Sequence, residues 1–299
     1  MPDDAATVRS AAEEDSAFSH APVDPDATAA YGGHPDQVID FYAPRPGGGP
    51  ASPAPLVVVL HGGAWRARYD RRHITPFAGH LARRGFAVAN VEYRRGARPT
   101  DPGQDPGAGD TPVAGRWPDT LDDVAAALDA LPTLVREALP EADPGRTVLT
   151  GHSAGGHLAL WAAARHNLPA DAPWRTAGPA ALRGVVALAP IADLGTAEEL
   201  GVCAHASRQL LGGEDLFAQR RAYADPVLLL PTGIATTLVQ GRADLVVPPA
   251  VAESYAGAAA EAGELTGLTL LADVGHFPLI DPAADACAVV AEEIAQLAW

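Results

Sequence analysis

A single pentapeptide, Gly151-His152-Ser153-Ala154-Gly155, constrains this chain more than any other stretch. The apolar run Thr147-Val148-Leu149-Thr150 precedes it and reads as a buried strand. From Ala154 onward an Ala- and Leu-rich pattern reads as a helix. A G-x-S-x-G pattern placed between a strand and a helix puts its serine on a sharp, strained turn. Gly151, Gly155 and Gly156 let the backbone make that turn and let a substrate approach. The helix start offers unpaired N–H groups beside the hydroxyl, where negative charge is stabilised. The plain alternative is a Gly-rich turn with an incidental serine.

The rest of the chain alternates strand and helix patterns. Gln37–Tyr42 shows partial alternation, and Leu56–Leu60 is a continuous apolar run suited to a strand buried on both faces. A helix is expected over Ile74–Arg84, stopped by Gly85, then a strand over Phe86–Val91. The spacing of Leu121, Val124, Ala125, Leu128, Leu131 and Val135 predicts a helix within Trp117–Leu139. Strands follow at Gly184–Ala189, Ile234–Gln240 and Leu268–Ala272, with helices at Pro249–Ala262 and Pro282–Ala298. This order implies one α/β domain over residues 31–299 with a mostly parallel sheet flanked by helices. Residues 190–231 are the least regular and read as a small cap insertion. Residues 1–30 are acidic and Ala-rich without a clean period; disorder and a short helix over the site both stay open. Pro/Gly-rich segments at 45–55 and 96–115 read as a turn and a long loop.

Composition narrows the partners. The formal net charge is −16, and all 21 Lys+Arg positions are arginine, so no basic stripe for nucleic acid is expected. The start lacks a basic segment followed by an apolar one, and no apolar run reaches the roughly 18 residues of a membrane span. The expectation is a cytoplasmic protein without a membrane partner. The two cysteines, Cys203 and Cys287, give no metal-type spacing, and a single long-range disulfide between them is disfavoured.

A nucleophilic Ser153 needs a base, an orienting acid and donors for an oxyanion. His276 lies just past the last expected strand, and an imidazole titrates near neutral pH. Asp244 follows the Ile234–Gln240 strand; the alternative for it is a turn-capping role. Asp273 and Asp225 are the competing acids. After the Leu56–Leu60 strand, His61-Gly62-Gly63-Ala64-Trp65 frees backbone N–H groups and, with the N–H of Ala154, is the candidate oxyanion hole. Trp65 either lines the substrate pocket or fills the core. His61 reads as a brace, His157 as packing, and His152 is expected to point away from substrate.

Together these residues resemble the α/β-hydrolase superfamily across Tyr31–Trp299. The matching pieces are H-G-G, G-H-S-A-G-G, the Gly241-x-x-Asp244-x-x-Val247-Pro248 turn and the late Gly275-His276. The order Ser153, Asp244, His276 is the one that superfamily uses. The H-G-G-x-W form and the upstream Y-G-x-x-P-x-Q…D-x-Y resemble hormone-sensitive-lipase-like esterases and, more closely, kynurenine formamidases (arylformamidases). The chain departs in carrying Ala64 where many esterases have a third glycine. The resemblance implies an α/β-hydrolase fold and a serine hydrolase acting on a small-molecule acyl substrate by a Ser-His-Asp acyl-enzyme route. The nucleophile, acid and base would be Ser153, Asp244 and His276, with Gly63, Ala64 and Ala154 at the oxyanion. No metal or organic cofactor is expected. Aryl formamide and short-chain ester substrates remain alternatives, as do a homodimer and a non-catalytic binding protein on the same fold.

Overall fold

The computed structural model describes residues 4–45, 53–96 and 114–299. The expected Pro/Gly-rich turn at 45–55 and the long loop at 96–115 fall largely outside these residues. Among the described residues, eight strands form one sheet: β1 (Ala27–Ala30), β2 (Val38–Tyr42), β3 (Ala54–Leu60), β4 (Ala87–Val91), β5 (Ala142–His152), β6 (Gly184–Leu188), β7 (Thr236–Gly241) and β8 (Thr266–Leu271). Their spatial order is β1-β2-β4-β3-β5-β6-β7-β8. The first two pairings, β1 with β2 and β2 with β4, are antiparallel, and the remainder are parallel.

Successive residues of the central strands serve opposite faces, as a period of two requires. Leu56, Val58 and Leu60 join one core, into which α3 (Asp119–Ala138), α4 (Ala154–Ala163) and α8 (Pro249–Glu261) pack Leu121, Leu158 and Val251. Val57 and Val59 join the other, filled by Phe77 and Leu81 of α2 (Thr75–Arg83) and Val290 and Ile294 of α9 (Asp285–Ala298). Both faces are covered, so β3 is buried along its whole length. Register then aligns the strand ends: Leu60 pairs with Val91 and Gly151, and His152 with Leu188. The segments leaving β3, β5, β7 and β8 therefore start along one edge, the carboxyl edge where parallel sheets place their ligands.

Two elements were not fixed by periodicity. Residues 4–18 form a helix, α1 (Asp4–Phe18), in which Ala17 alone is buried. Strand β1 has only alternating half-buried and exposed positions and gains its place by pairing with β2. Between β6 and β7 the chain forms α5 (Leu194–Glu199), α6 (Ala206–Leu210) and α7 (Glu214–Ala224). This segment leans on α4: the Trp161 Nε1–H donates to the Tyr223 carbonyl at 2.9 Å. Both cysteines are free, Cys287 in the α9 core and Cys203 in the segment before α6.

The upstream polar positions hold the sheet edge together. Gln37 Nε2 donates to Asp123 on α3 at 2.7 Å, and Arg94 adds a two-pronged contact to the same carboxylate at 2.9 and 2.7 Å. Asp40 is bound by Arg71 at 2.6 Å and by Thr28 at 2.7 Å. The Tyr31 hydroxyl donates to the Glu92 carbonyl at 2.7 Å. Removing one partner of a buried ion pair leaves a charge without compensation. Arg94→Met should therefore lower the unfolding free energy, measured by urea denaturation, by about 3 kcal/mol. Arg45→Met, which breaks the exposed pair with Asp26, should cost under about 1 kcal/mol.

Candidate active site

Ser153 sits at φ 57° and ψ −117°, a left-handed conformation unusual for any residue but glycine. It is the residue before α4, yet its side chain makes no capping hydrogen bond. Its N–H is held by the Leu188 carbonyl of β6 at 2.8 Å. The neighbouring glycines are required by contact. A Cβ on Gly151 would lie 2.2 Å from the Gly155 carbonyl oxygen, and one on Gly155 would lie 2.0 Å from the Leu60 carbonyl oxygen. Strand, turn and helix thus pack backbone against backbone, and the hydroxyl is left over a cavity.

The segments after β7 and β8 bring an acid and an imidazole together. Arg242 and Ala243 donate their N–H groups to the carbonyls of Leu271 and Val274, both at 2.9 Å. Gly241 allows that approach, since a Cβ there would be 2.2 Å from the Val274 oxygen. The result is His276 Nδ1–H donating to Asp244 Oδ2 at 2.7 Å, with both side chains buried. Asp244 Oδ1 accepts from the N–H groups of Val246 and Val247 at 2.8 and 2.9 Å, and Oδ2 also accepts from Gln240 Nε2 at 3.1 Å. The competing acids lie elsewhere. Asp225 is bound by Arg221 at 2.6 Å, and Asp273 occupies a left-handed turn position.

His152 differs from expectation. Instead of pointing away, its ring lies 4.4 Å from that of His276 and lines the same cavity. Its Nε2–H donates to the His276 carbonyl at 3.0 Å. Burial, with the neighbouring His276, pushes its pKa well below the ordinary value, so the ring stays a neutral donor.

The turn after β3 runs Gly63, Ala64, Trp65 at φ 103°, 51° and 54°, three left-handed residues in a row. Gly63 has no room for a side chain, because a Cβ would lie 2.4 Å from that of Tyr69. Among the described residues, the N–H groups of Gly63 and Ala64 have no hydrogen-bond acceptor. The base of the turn is rigid. His61 Nε2–H donates to Glu92 Oε1 at 2.9 Å, and its ring stacks on Tyr93 with centroids 4.3 Å apart. Burial alone would raise the Glu92 pKa, but the His61 ring and the Arg95 guanidinium hold it down at about 2. Trp65 requires a correction: it is fully buried, packs edge-on against His157 at 5.1 Å and does not line the cavity. The left-handed backbone turns its ring inward.

The cavity has a volume of about 240 Å³ and is lined by Ser153, His276, Gly63 and Ala64. Its rim comes from residues the motifs did not mark: Glu14 and Phe18 of α1, Arg66, Tyr69, His73, Cys203 and Phe277. Helix α1 is fastened to the His276 segment. The Ser16 hydroxyl and His20 Nε2 bind the two Asp281 oxygens at 2.6 and 2.7 Å, Glu13 accepts from the Gly275 N–H at 3.2 Å, and Phe18 meets Phe277 edge-on at 5.3 Å. An isolated Phe18 in an acidic stretch was the one sequence signal for this. Among the described residues, no group of three or more His, Cys, Asp and Glu side chains is placed to hold a metal. No helix among them is long and apolar enough to cross a membrane.

A sheet of this order, with a serine turn after β5, an acid after β7 and an imidazole after β8, defines a class. The chain belongs to the Alpha/beta hydrolase family, whose sequence model matches residues 57–289. It is 25% identical over 243 residues to "Esterase LipQ" of Mycobacterium tuberculosis, covering 77% of this chain and 51% of LipQ. It is 32% identical over 120 residues to "Probable carboxylic ester hydrolase LipM" of the same organism, covering 40% of this chain and 24% of LipM. The chain thus spans about half or less of these curated relatives. The fold is shared with a propionate-bound Thermogutta terrifontis esterase (TM-score 0.64, 22% identity, 90% of this chain and 92% of that one). It is shared also with esterase B from Lactobacillus rhamnosis (TM-score 0.71, 18% identity, 98% and 92% covered).

Buried histidines set the acid stability. Burial, with the neighbouring His61, lowers His73 to about 4, and burial alone lowers His157 to about 4. The unfolded chain takes up protons at these rings and at His152 near the ordinary value of 6.5, while the folded chain refuses them. Stability is therefore full above about pH 6.5 and falls as pH drops toward 4, each ring contributing up to about 1.4 kcal/mol per pH unit. Glu92, depressed from 4.5, extends the loss below that. Urea titrations at pH 7, 6, 5 and 4 should show a falling free energy; a flat profile would contradict these assignments.

Proposed function

We propose that the chain is a carboxylic ester hydrolase that cleaves small acyl esters through a serine acyl-enzyme. The observation that carries this reading is the 2.7 Å His276–Asp244 contact on a cavity that Ser153 also lines. His276 Nε2 takes the Ser153 proton as the hydroxyl attacks the ester carbonyl. Asp244 fixes the tautomer and stabilises the imidazolium. The N–H groups of Gly63, Ala64 and Ala154 receive the developing oxyanion, where one missing donor typically costs about 10²–10³ in rate. His276 then protonates the departing alcohol. Water, deprotonated by the same ring, hydrolyses the acyl-enzyme.

A cavity of about 240 Å³ suits a small acyl group. The ester reading is favoured over an aryl formamide because LipQ and LipM carry ester-hydrolase names. Helix α1 and the 190–231 segment act as a small cap, since Phe18, Glu14 and Cys203 close the rim.

Ser153→Ala should lower kcat/KM on p-nitrophenyl acetate by more than about 10⁴-fold, and Asp244→Asn by about 10³–10⁴-fold. A fluorophosphonate probe should label only the peptide containing Ser153, read by mass spectrometry. Label on another peptide, or full activity in Ser153→Ala, would overturn the assignment. Higher efficiency on N-formylkynurenine than on the ester would replace the ester with the formamide.

A further inference from the structure

Arg66 follows directly on the left-handed turn Gly63-Ala64-Trp65, and its N–H is tied back to the Gly63 carbonyl at 3.0 Å. The main chain that carries its guanidinium is therefore the main chain that presents the unpaired Gly63 and Ala64 N–H groups. The side chain lines the cavity with Ser153 and His276. Its Nη2 donates to the Cys203 carbonyl at 2.6 Å, which fixes the plane of the group. Its Nε is removed from solvent and has no acceptor among the described residues.

That state is unusual for this chain. Most other arginines with restricted exposure have carboxylate partners, among them Arg71 with Asp40, Arg94 with Asp123, Arg95 with Glu92, Arg165 with Asp129 and Arg221 with Asp225; Arg220, which donates to the Leu211 carbonyl at 2.9 Å, is the exception among the described residues. With 37 acidic residues against 21 basic ones, a carboxylate partner is easily supplied. Arg66 forms no ion pair among the described residues, although the Glu14 carboxylate shares the cavity. A half-buried, forked cation without a carboxylate partner, on the cavity that Ser153 lines, matches a planar carboxylate.

We propose that Arg66 is a specificity-determining residue that selects esters bearing a carboxylate close to the scissile carbonyl. The inference rests on the ester-hydrolase reading of Ser153 and deepens it by naming the substrate class. The carboxylate can sit on the acyl side, as in a dicarboxylic acid monoester, or on the alcohol side, as in an acylated hydroxy acid.

Two matched substrate pairs separate these sources. On the acyl side, p-nitrophenyl hydrogen glutarate is compared with p-nitrophenyl valerate; on the alcohol side, 4-acetoxybenzoate is compared with 4-methylphenyl acetate. The wild-type ratio of kcat/KM, anionic over neutral, should exceed one in the pair that carries the natural arrangement. Arg66→Met should reduce that ratio by about 10- to 100-fold, the range for hydrogen bonds to a charged group, and Arg66→Lys should restore part of it. Glu14→Gln, which removes a like charge from the cavity, should raise it. A wild-type ratio below one in both pairs, or a ratio that Arg66→Met leaves unchanged, overturns the proposal.

Binding is measured separately by calorimetry on Ser153→Ala protein, with monomethyl glutarate against methyl valerate and 4-acetoxybenzoate against 4-methylphenyl acetate. Tighter binding of an anionic member, lost at high salt, supports the assignment; equal binding overturns it. This arm needs no turnover and no Arg66 variant. If wild-type protein cleaves neither member of either pair, the ester-hydrolase reading fails, and calorimetry still decides whether the cavity holds a carboxylate.

Discussion

The turn at Ser153 exists because three backbones touch where side chains would ordinarily stand. Gly155 lies against the end of β3, Gly151 against Gly155, and Gly156 against Pro190, each with less space than a methyl group needs. A left-handed serine costs of order 1–3 kcal/mol, and such strain persists only where its surroundings leave no alternative. Here the surroundings are two fully buried strands and a fully buried helix. The place of the Ser153 hydroxyl on the cavity wall is a consequence of that packing.

A second constraint is charge buried behind the turn after β3. Glu92 is shared by His61 at 2.9 Å and Arg95 at 2.7 Å, and Tyr93 lies stacked on the His61 ring. These groups compensate one another, so they are tolerated in the interior. They also fix the position of His61 and hence of the three left-handed residues that follow. The same logic holds on the other side of the cavity, where four donors converge on Asp244 and keep its carboxylate aligned with His276. Arg66 stands apart from both networks, lining the cavity without a carboxylate partner among the described residues.

The rim follows different rules from the sheet. Helix α1 buries little of itself, and its attachment comes from a few polar contacts to Asp281 and Gly275 and from the Phe18–Phe277 contact. Polar contacts of this kind leave no repeating hydrophobic signature, so residues 1–30 could not be decided from periodicity. β1 was hidden for a similar reason: its four residues, Ala-Thr-Ala-Ala, have weak strand preference and are ordered by the neighbouring β2. Upstream Tyr31, Gln37 and Asp40, which helped suggest a family, turn out to brace the sheet edge at a distance along the chain from the serine.

The order of residues alone announces the alternating architecture, the serine turn and the acid and imidazole after the last two strands. Each is written locally, in a continuous apolar run, a glycine cluster or a turn next to a strand. Folding in three dimensions is what brings Asp244 and not Asp225 or Asp273 to His276, turns Trp65 into the core and His152 toward the cavity, and lets α1 and Arg66 complete its wall. Those outcomes depend on side-chain direction and on contacts between residues more than 30 positions apart in most cases, such as the 32 separating Asp244 from His276. No local pattern encodes such distances; they are set when the strands take their places in the sheet.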